Sequence, residues 1–228
     1  ATSTGVLVCT RAAFAQMGIE LAGRRAVIQG FGKVGGPLGF LLQSAGMRVV
    51  GVADVAGAVY NPGGLDIAAL SDHVRTTGSV DGFPIADQIS AEEMFTVPTD
   101  VFVPAALGGV IDASIAEKMD TKLIVEAANG PTMPDADPVF EARGIPVIPD
   151  ILANAGGVTA SYFEWAQSRQ GFAWDGEIFA TRLRDGMDGA FRSVWAKSEA
   201  LKVPMRRAAF ALALERVAEA IAARGFFP

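Results

Sequence analysis

The chain has 228 residues, half of them apolar and 26 of them glycine, enough to bury the core of one large α/β domain. Its net charge is −6 and acidic and basic residues are interspersed, which argues against a nucleic-acid partner because phosphates attract basic surfaces. The longest stretch without a charged residue, 34–47, is too short to cross a bilayer, and the first residues do not resemble a secretory signal, so we expect no membrane partner.

The first predicted element is a helix that opens the chain. Val6, Cys9, Ala13 and Met17 recur at helical spacing, and Gly18 ends the pattern. We expect Cys9 to pack on this apolar face as a small hydrophobic side chain. As the only cysteine it cannot form an internal disulfide, which favours a reducing, cytoplasmic location. A chain that opens inside a helix suggests a piece of something longer.

Short apolar segments then alternate with helical ones. The predicted strands are 24–30, 47–54, 100–106, 121–129 and 145–149. The predicted helices between them are 33–46, 65–75, a short helix capped by Ser90 and Glu93, 112–119 and 135–143. Continuously apolar strands that alternate with helices are typical of a parallel sheet covered on both faces. The fold class is therefore α/β, a doubly wound, Rossmann-type, mostly parallel sheet.

From residue 151 onward the pattern is helical only, so we expect a C-terminal helical extension within one domain, 1–228. Two apolar stripes repeat at helical spacing in this part of the chain. We interpret both as core contacts rather than cofactor contacts, because helical packing alone produces such stripes. The stripes are Phe179, Leu183, Met187, Phe191 and Val194, then Phe210, Leu214, Val217 and Ile221.

A glycine-rich turn separates the first predicted strand from the next helix. Gly30, Gly32 and Gly35 form a GxGxxG pattern. In a dinucleotide site the first glycine allows a sharp turn, the second allows close approach of a pyrophosphate, and the third packs the helix on its strand. The helix N-terminus adds unpaired N–H donors and partial positive charge. The alternative is a glycine-rich turn with no ligand; the strand–turn–helix context favours the dinucleotide.

Asp54 ends the second predicted strand, 19 residues after the third glycine, the spacing of an acid that binds an adenosine ribose. Its charge would repel a 2′-phosphate, and 55–57 contain no Lys or Arg to attract one, so NAD is favoured over NADP. The alternative is a solvated Asp54. Lys33 lies inside the turn, either near the pyrophosphate or solvated.

Several stretches together resemble the C-terminal, nucleotide-binding domain of the glutamate/leucine/phenylalanine/valine dehydrogenase family. They are ATSTGV at 1–6, QGFGKVG at 29–35, YNPGGLD at 60–66, VPAAL at 103–107, EAANGPT at 126–132, PDILANAGGVTASYFEW at 149–165 and AAFALALERVAEAIAARGFFP at 208–228. The resemblance covers essentially the whole chain in order. Within the family, SYFEW is similar to the glutamate branch.

The resemblance implies cofactor contacts along the pyrophosphate, both riboses, the adenosine and the nicotinamide. The implied positions are Thr2, Gly30, Phe31, Gly32, Lys33, Val34, Gly35, Asp54, Ala105, Ala106, Asn129 and Asn154. Ala105 and Ala106 would pass along the adenosine, Asn129 would reach the nicotinamide ribose, and Thr2 and Asn154 would hydrogen-bond the carboxamide. Otherwise, Asn129 is simply a turn residue and Asn154 a helix cap.

The resemblance also implies a substrate contact. Val158 and Ser161 would face the substrate, with Ser161 donating to the distal carboxylate of glutamate; the alternative for Ser161 is ordinary helix surface.

The first residues depart from the family pattern: Ser3 and Thr4 stand where that pattern has a glycine and a larger side chain.

The family's reaction passes hydride from the α-carbon to the nicotinamide, and water then attacks the imine. It needs a Lys of depressed pKa and a proton-shuttling Asp, which in the family come from an N-terminal substrate domain. None of the five lysines here lies in the glycine loop that would hold such a Lys, and His73 is isolated. We therefore expect no catalytic residue, no metal site and no turnover by this chain alone.

The resemblance implies a whole enzyme that is a homohexamer acting on glutamate and 2-oxoglutarate, with the substrate shared between this chain and the missing domain. Two other functions stay open. One is a stand-alone dinucleotide-binding protein with a sensory or scaffold role, and the other is the cofactor domain of a leucine, valine or phenylalanine dehydrogenase. Aliphatic residues in place of Ser161 would favour the latter.

Overall fold

In a computed structural model of the chain, strands and helices alternate. The structure describes residues 1–225, and positions 226–228 of the predicted domain lie outside the described residues. The described residues form seven strands: β1 (Arg25–Gln29), β2 (Arg48–Ala53), β3 (Ala58–Tyr60), β4 (Asp87–Ile89), β5 (Val101–Pro104), β6 (Ile124–Val125) and β7 (Val147–Ile148). The same residues form ten helices: α1 (Thr2–Gln16), α2 (Gly35–Ser44), α3 (Ile67–Thr77), α4 (Ala91–Thr96), α5 (Ala113–Lys118), α6 (Asp137–Arg143), α7 (Asp150–Ala153), α8 (Gly156–Gln170), α9 (Gly176–Leu201) and α10 (Met205–Arg224).

All seven strands join one sheet in the order β4-β3-β2-β1-β5-β6-β7. The five predicted strands are parallel, whereas β3 and β4 pair antiparallel at one edge and have no counterpart in the sequence prediction. The predicted α/β class with a mostly parallel sheet is confirmed. The chain leaves β1 toward β2 on one side and returns to β5 on the other. Ligands of open α/β sheets bind in the crevice beyond the strand ends at such a point.

The sheet separates two apolar clusters. One packs α1, α2 and α9 against one face, and the other packs α4, α5 and α6 against the opposite face. Cys9 is fully buried in the first cluster, where burial, followed by the charge of Asp188, raises the pKa of its thiol to about 12. Its predicted role as a packed hydrophobic side chain is confirmed.

The stripe on α9 is buried at Leu183, Met187, Phe191 and Val194 and half-buried at Phe179, as predicted, but the prediction for the second stripe is wrong. On α10, Phe210 is 54% exposed, Leu214 68%, Val217 56% and Ile221 54%. The helix packs on the domain through Met205, Ala208 and Ala209 near its beginning. Periodicity identifies a stripe but not what covers it. Within residues 1–225, no helix combines the length and apolar character that a membrane crossing requires.

Candidate functional site

The three glycines of the turn after β1 differ in what surrounds them. Gly30 has φ +101°, and a Cβ there would lie 2.8 Å from the carbonyl oxygen of Ala105. A Cβ on Gly35 would lie only 1.8 Å from the carbonyl oxygen of Gly30. A Cβ on Gly32 would meet no protein atom within 4 Å. The fold itself therefore requires Gly30 and Gly35, while Gly32 leaves open space beside the backbone.

The backbone of this turn also presents donors. Among the backbone hydrogen bonds of residues 1–225, none uses the N–H of Gly32, Lys33 or Val34. Val34 precedes α2, and no side chain caps the helix there. Because α2 begins at this point, the positive end of its helix dipole faces the turn. Free N–H groups, open space and a helix N-terminus together fit an anionic pyrophosphate.

Two cavities adjoin at the turn. The first, of about 510 Å³, lies between the ends of β1, β2 and β5, and the second, of about 730 Å³, lies between the beginnings of α1 and α2; Phe31 and Gly32 line both. Eight predicted cofactor residues line one or both cavities: Thr2, Gly30, Phe31, Gly32, Lys33, Asp54, Ala105 and Ala106. Gly30 and Ala106, 76 residues apart in the sequence, thus meet in the first cavity.

The Asp54 carboxylate lines the first cavity but is already engaged by its own chain. Oδ1 accepts hydrogen bonds from the N–H of Ala56 at 2.8 Å, the N–H of Gly57 at 3.2 Å and the hydroxyl of Ser79 at 3.2 Å. Oδ2 accepts from the N–H of Val80 at 2.7 Å. Oδ2 therefore has more remaining capacity than Oδ1, which suits one ribose hydroxyl better than a symmetric grip on two.

These bonds also set the charge of Asp54. Partial burial alone would raise its pKa, but the bonds from Val80, Ala56, Ser79 and Gly57 hold the pKa of Asp54 below its ordinary value. Asp54 is therefore an anion at neutral pH and a poor general base. In the described part of the chain, no group of three or more His, Cys, Asp or Glu residues is arranged to hold a metal ion.

Asn129 and Asn154 meet at the ends of two further elements. The Nδ2 of Asn154, just after α7, donates to Oδ1 of Asn129 at 2.7 Å. The next helix, α8, begins after Ala155 without a side-chain cap, so Asn154 does not serve as its cap. Gly130 has φ +54°, which supports the predicted tight turn after Asn129.

The beginning of α1 is pressed against the beginning of α8. A Cβ on Gly156 would lie 2.5 Å from the carbonyl oxygen of Ala1, and one on Gly157 would lie 2.6 Å from Oγ1 of Thr2. The backbone approach therefore requires Gly156, while the close atom at Gly157 is the tip of the Thr2 side chain; the approach brings Thr2 to the helix that follows Asn154. Ser3, which the sequence analysis noted only as a departure from the family pattern, is buried and donates its hydroxyl to the carbonyl of Val34 at 2.8 Å, so that it ties α1 to the turn.

Comparison with known proteins identifies the family of this chain. The profile of the Glutamate/Leucine/Phenylalanine/Valine dehydrogenase family matches residues 1–225. The chain belongs to this family. It is 45% identical over its full length to a glutamate dehydrogenase of Thermotoga maritima and 42% identical, over 99% of its length, to the catabolic NAD-specific glutamate dehydrogenase RocG of Bacillus subtilis. It covers 55% and 53% of these proteins, so the chain spans about half the length of the curated relatives it matches.

A solved structure of the same family supports the fold. The crystal structure of a hetero-hexameric glutamate dehydrogenase from Thermus thermophilus, in a leucine-bound form, superposes with a TM-score of 0.93 at 36% identity. The match covers all of this chain and 54% of that one. The fold of this chain is therefore shared with that glutamate dehydrogenase.

The two predicted substrate residues lie apart from both cavities, on the surface of α8. Val158 is 74% exposed, and the exposed Ser161 donates its hydroxyl to the carbonyl of Gly157 at 3.3 Å. Tyr162 and Trp165 of the same helix are also exposed. In this family member, α8 therefore offers an open, partly aromatic surface next to the Asn154 end of the site.

Proposed function

We propose that this chain is the cofactor domain of a glutamate dehydrogenase and that it binds NAD with the pyrophosphate against the turn at 30–35. The open space at Gly32, in a turn whose other two glycines are enclosed by protein, carries the proposal. The family membership and the names of the relatives support the same conclusion.

The cofactor would extend from the β2 end of the sheet to the β6 end. The free N–H groups at 32–34 would donate to the pyrophosphate, and Oδ2 of Asp54 would accept from one adenosine ribose hydroxyl. Ala105 and Ala106 line the cavity where the adenosine would lie. The nicotinamide would then point toward Asn129, Asn154 and Thr2.

NAD is preferred over NADP in this proposal because Asp54 keeps a negative charge where a 2′-phosphate would have to sit. Fluorescence titration tests it: NADH should bind more tightly than NADPH, and Asp54→Asn should narrow the difference. Equal or tighter binding of NADPH by the unaltered chain would contradict the assignment of Asp54. Arg192→Gln is a useful control, because Arg192 lines neither cavity and pairs with Asp188 on the same helix.

In the whole enzyme, bound NAD would accept hydride from the α-carbon of glutamate, and Val158 and Ser161 would contact the substrate. The proton-transfer residues would belong to another domain of a cytoplasmic homohexamer. Incubating this chain with glutamate and NAD should give no NADH by absorbance, while the chain still binds NADH. Turnover by the chain alone would show that it carries its own catalytic base.

A further inference from the structure

A fully buried carboxylate, Glu126, lies just beyond β6 and faces α10. Its Oε1 accepts from Nη2 of Arg206 at 2.7 Å and its Oε2 from Nη1 at 3.1 Å. A buried carboxylate is strongly destabilising unless it is paired and hydrogen-bonded. The two-bond geometry matches the planar guanidinium fork, which a lysine could not reproduce.

Arg206 joins Glu126 to two further carboxylates. Its Nε donates to Asp137 at 3.1 Å, and its Nη1 lies 3.5 Å from Oδ1 of Asp150. The backbone N–H of Asp150 also donates to Oε2 of Glu126 at 2.8 Å. Burial alone would lower the pKa of the Arg206 guanidinium, but the bonds and charge of Glu126, then of Asp137, raise that pKa above its ordinary value. Arg206 is thus a permanent cation among three acids.

Asp150 extends this network to the candidate site. Its Oδ2 accepts from the N–H of Gly130 at 2.7 Å, and its carbonyl accepts from the N–H of Asn154 at 3.1 Å. One residue therefore fixes both the turn that carries Asn129 and the backbone of Asn154. These two asparagines are themselves joined by a 2.7 Å side-chain bond.

We propose that Arg206 is a positioning residue for the nicotinamide end of the site, acting through Glu126 and Asp150 to hold the pair Asn129 and Asn154. The inference rests on the proposed function, because it takes those two asparagines to face the nicotinamide. Arg206 lines neither cavity at the glycine turn, so any effect on the cofactor is transmitted through the carboxylates. A role confined to fold stability would weaken all cofactor contacts alike.

The test compares NADH with ADP, which has the adenosine and both phosphates but neither the nicotinamide nor its ribose. Asp150→Ala removes the acceptor of the Gly130 N–H. Arg206→Met alone would leave Glu126 charged and buried, so the pair Glu126→Gln and Arg206→Met is used to remove both charges together. Arg207→Met, at an exposed neighbouring position on α10, is the matched control.

We expect Asp150→Ala and the paired variant to weaken NADH binding about five- to tenfold, the effect of losing about one neutral hydrogen bond at the nicotinamide end. ADP binding should stay within about twofold, and Arg207→Met should change the binding of neither ligand. The Gly130 amide proton, deshielded by a carboxylate acceptor, should move upfield in both network variants in the absence of any ligand.

Equal loss of NADH and ADP binding, or no loss of either, would overturn the positioning role. An unchanged Gly130 resonance would overturn the link from Arg206 to the turn. If the paired variant fails to fold, Asp150→Ala decides the outcome. A parent chain that binds neither ligand would instead refute the proposed function, whatever the Gly130 resonance shows.

Discussion

Separate substitutions of Gly35 and Gly32 should show that the first glycine is needed for stability and the second for ligand binding. In Gly35→Ala, the new Cβ would approach the carbonyl oxygen of Gly30 to 1.8 Å, about 1.6 Å short of the 3.4 Å at which ordinary contact begins. The obstacle is backbone, so no side-chain rotation relieves it, and α2 must move away from β1. In Gly32→Ala, the Cβ meets no protein atom within 4 Å, and φ lies outside the left-handed region.

The two variants should differ in magnitude as well as in kind. Overpacking of this severity costs about 3 kcal/mol, which in a domain of this size lowers Tm by roughly 6 to 12 °C. Gly32→Ala should change stability by less than about 0.5 kcal/mol. The Cβ of Ala at position 32 would hold a pyrophosphate away from the N–H groups at 32–34, so their hydrogen bonds to the charged phosphates would be lost. Losing such bonds corresponds to about 10- to 100-fold weaker NADH binding.

Thermal unfolding by circular dichroism gives the stability of each variant, and NADH fluorescence titration gives its affinity. Gly186→Ala is the control, because its Cβ would meet no protein atom within 4 Å and the residue lies on α9, away from both cavities. The reasoning is refuted if Gly32→Ala binds NADH as well as the parent chain does, or if Gly35→Ala is as stable as the parent.

Three further outcomes follow from individual contacts. Hydrogen bonds hold the pKa of Asp54 below its value in the unfolded chain. The ionised Asp54 therefore stabilises the folded state above about pH 4, and this stabilisation is lost as pH falls through the folded pKa. Asp54→Asn should lower the free energy of unfolding, measured in urea, by about 1 kcal/mol at pH 7 and by less at pH 3. Ser3→Ala removes the bond to Val34 and should lower the free energy of unfolding by about 1 kcal/mol, measured by the same method. Cys9 should resist a thiol reagent at pH 8 until urea unfolds the chain; rapid labelling of the folded protein would contradict its burial.

The sequence predicted best those elements whose periodicity reflects burial on both faces. β1, β2 and β5 are continuous apolar runs because helices cover both sides of them, and their positions match the prediction within a few residues. β3 and β4 were missed because each has three residues and β4 is largely exposed. A strand that short shows no alternation, and edge pairing depends on a neighbour that periodicity does not reveal.

The sequence predicted the site residues whose role depends on local backbone geometry better than it predicted the contacts between distant segments. Gly30 and Gly35 follow from local backbone geometry, so the motif identifies them. The bonds of Asp54 to Ser79 and Val80 come from a segment 25 and 26 residues away, whose position depends on where α3 ends. The bond of Ser3 to Val34 likewise joins elements 31 residues apart. Such contacts are tertiary and leave no pattern in the local sequence.

Asp54 shows why cofactor preference and ribose contact need separate arguments. The four hydrogen bonds that occupy its lone pairs reduce its capacity to grip two ribose hydroxyls. The same bonds stabilise the ionised form, so they preserve the charge that opposes a 2′-phosphate. Repulsion needs only charge and proximity, whereas ribose binding needs a free lone pair in the right direction. Discrimination against NADPH should therefore persist even if the contact of Asp54 with the ribose is weak.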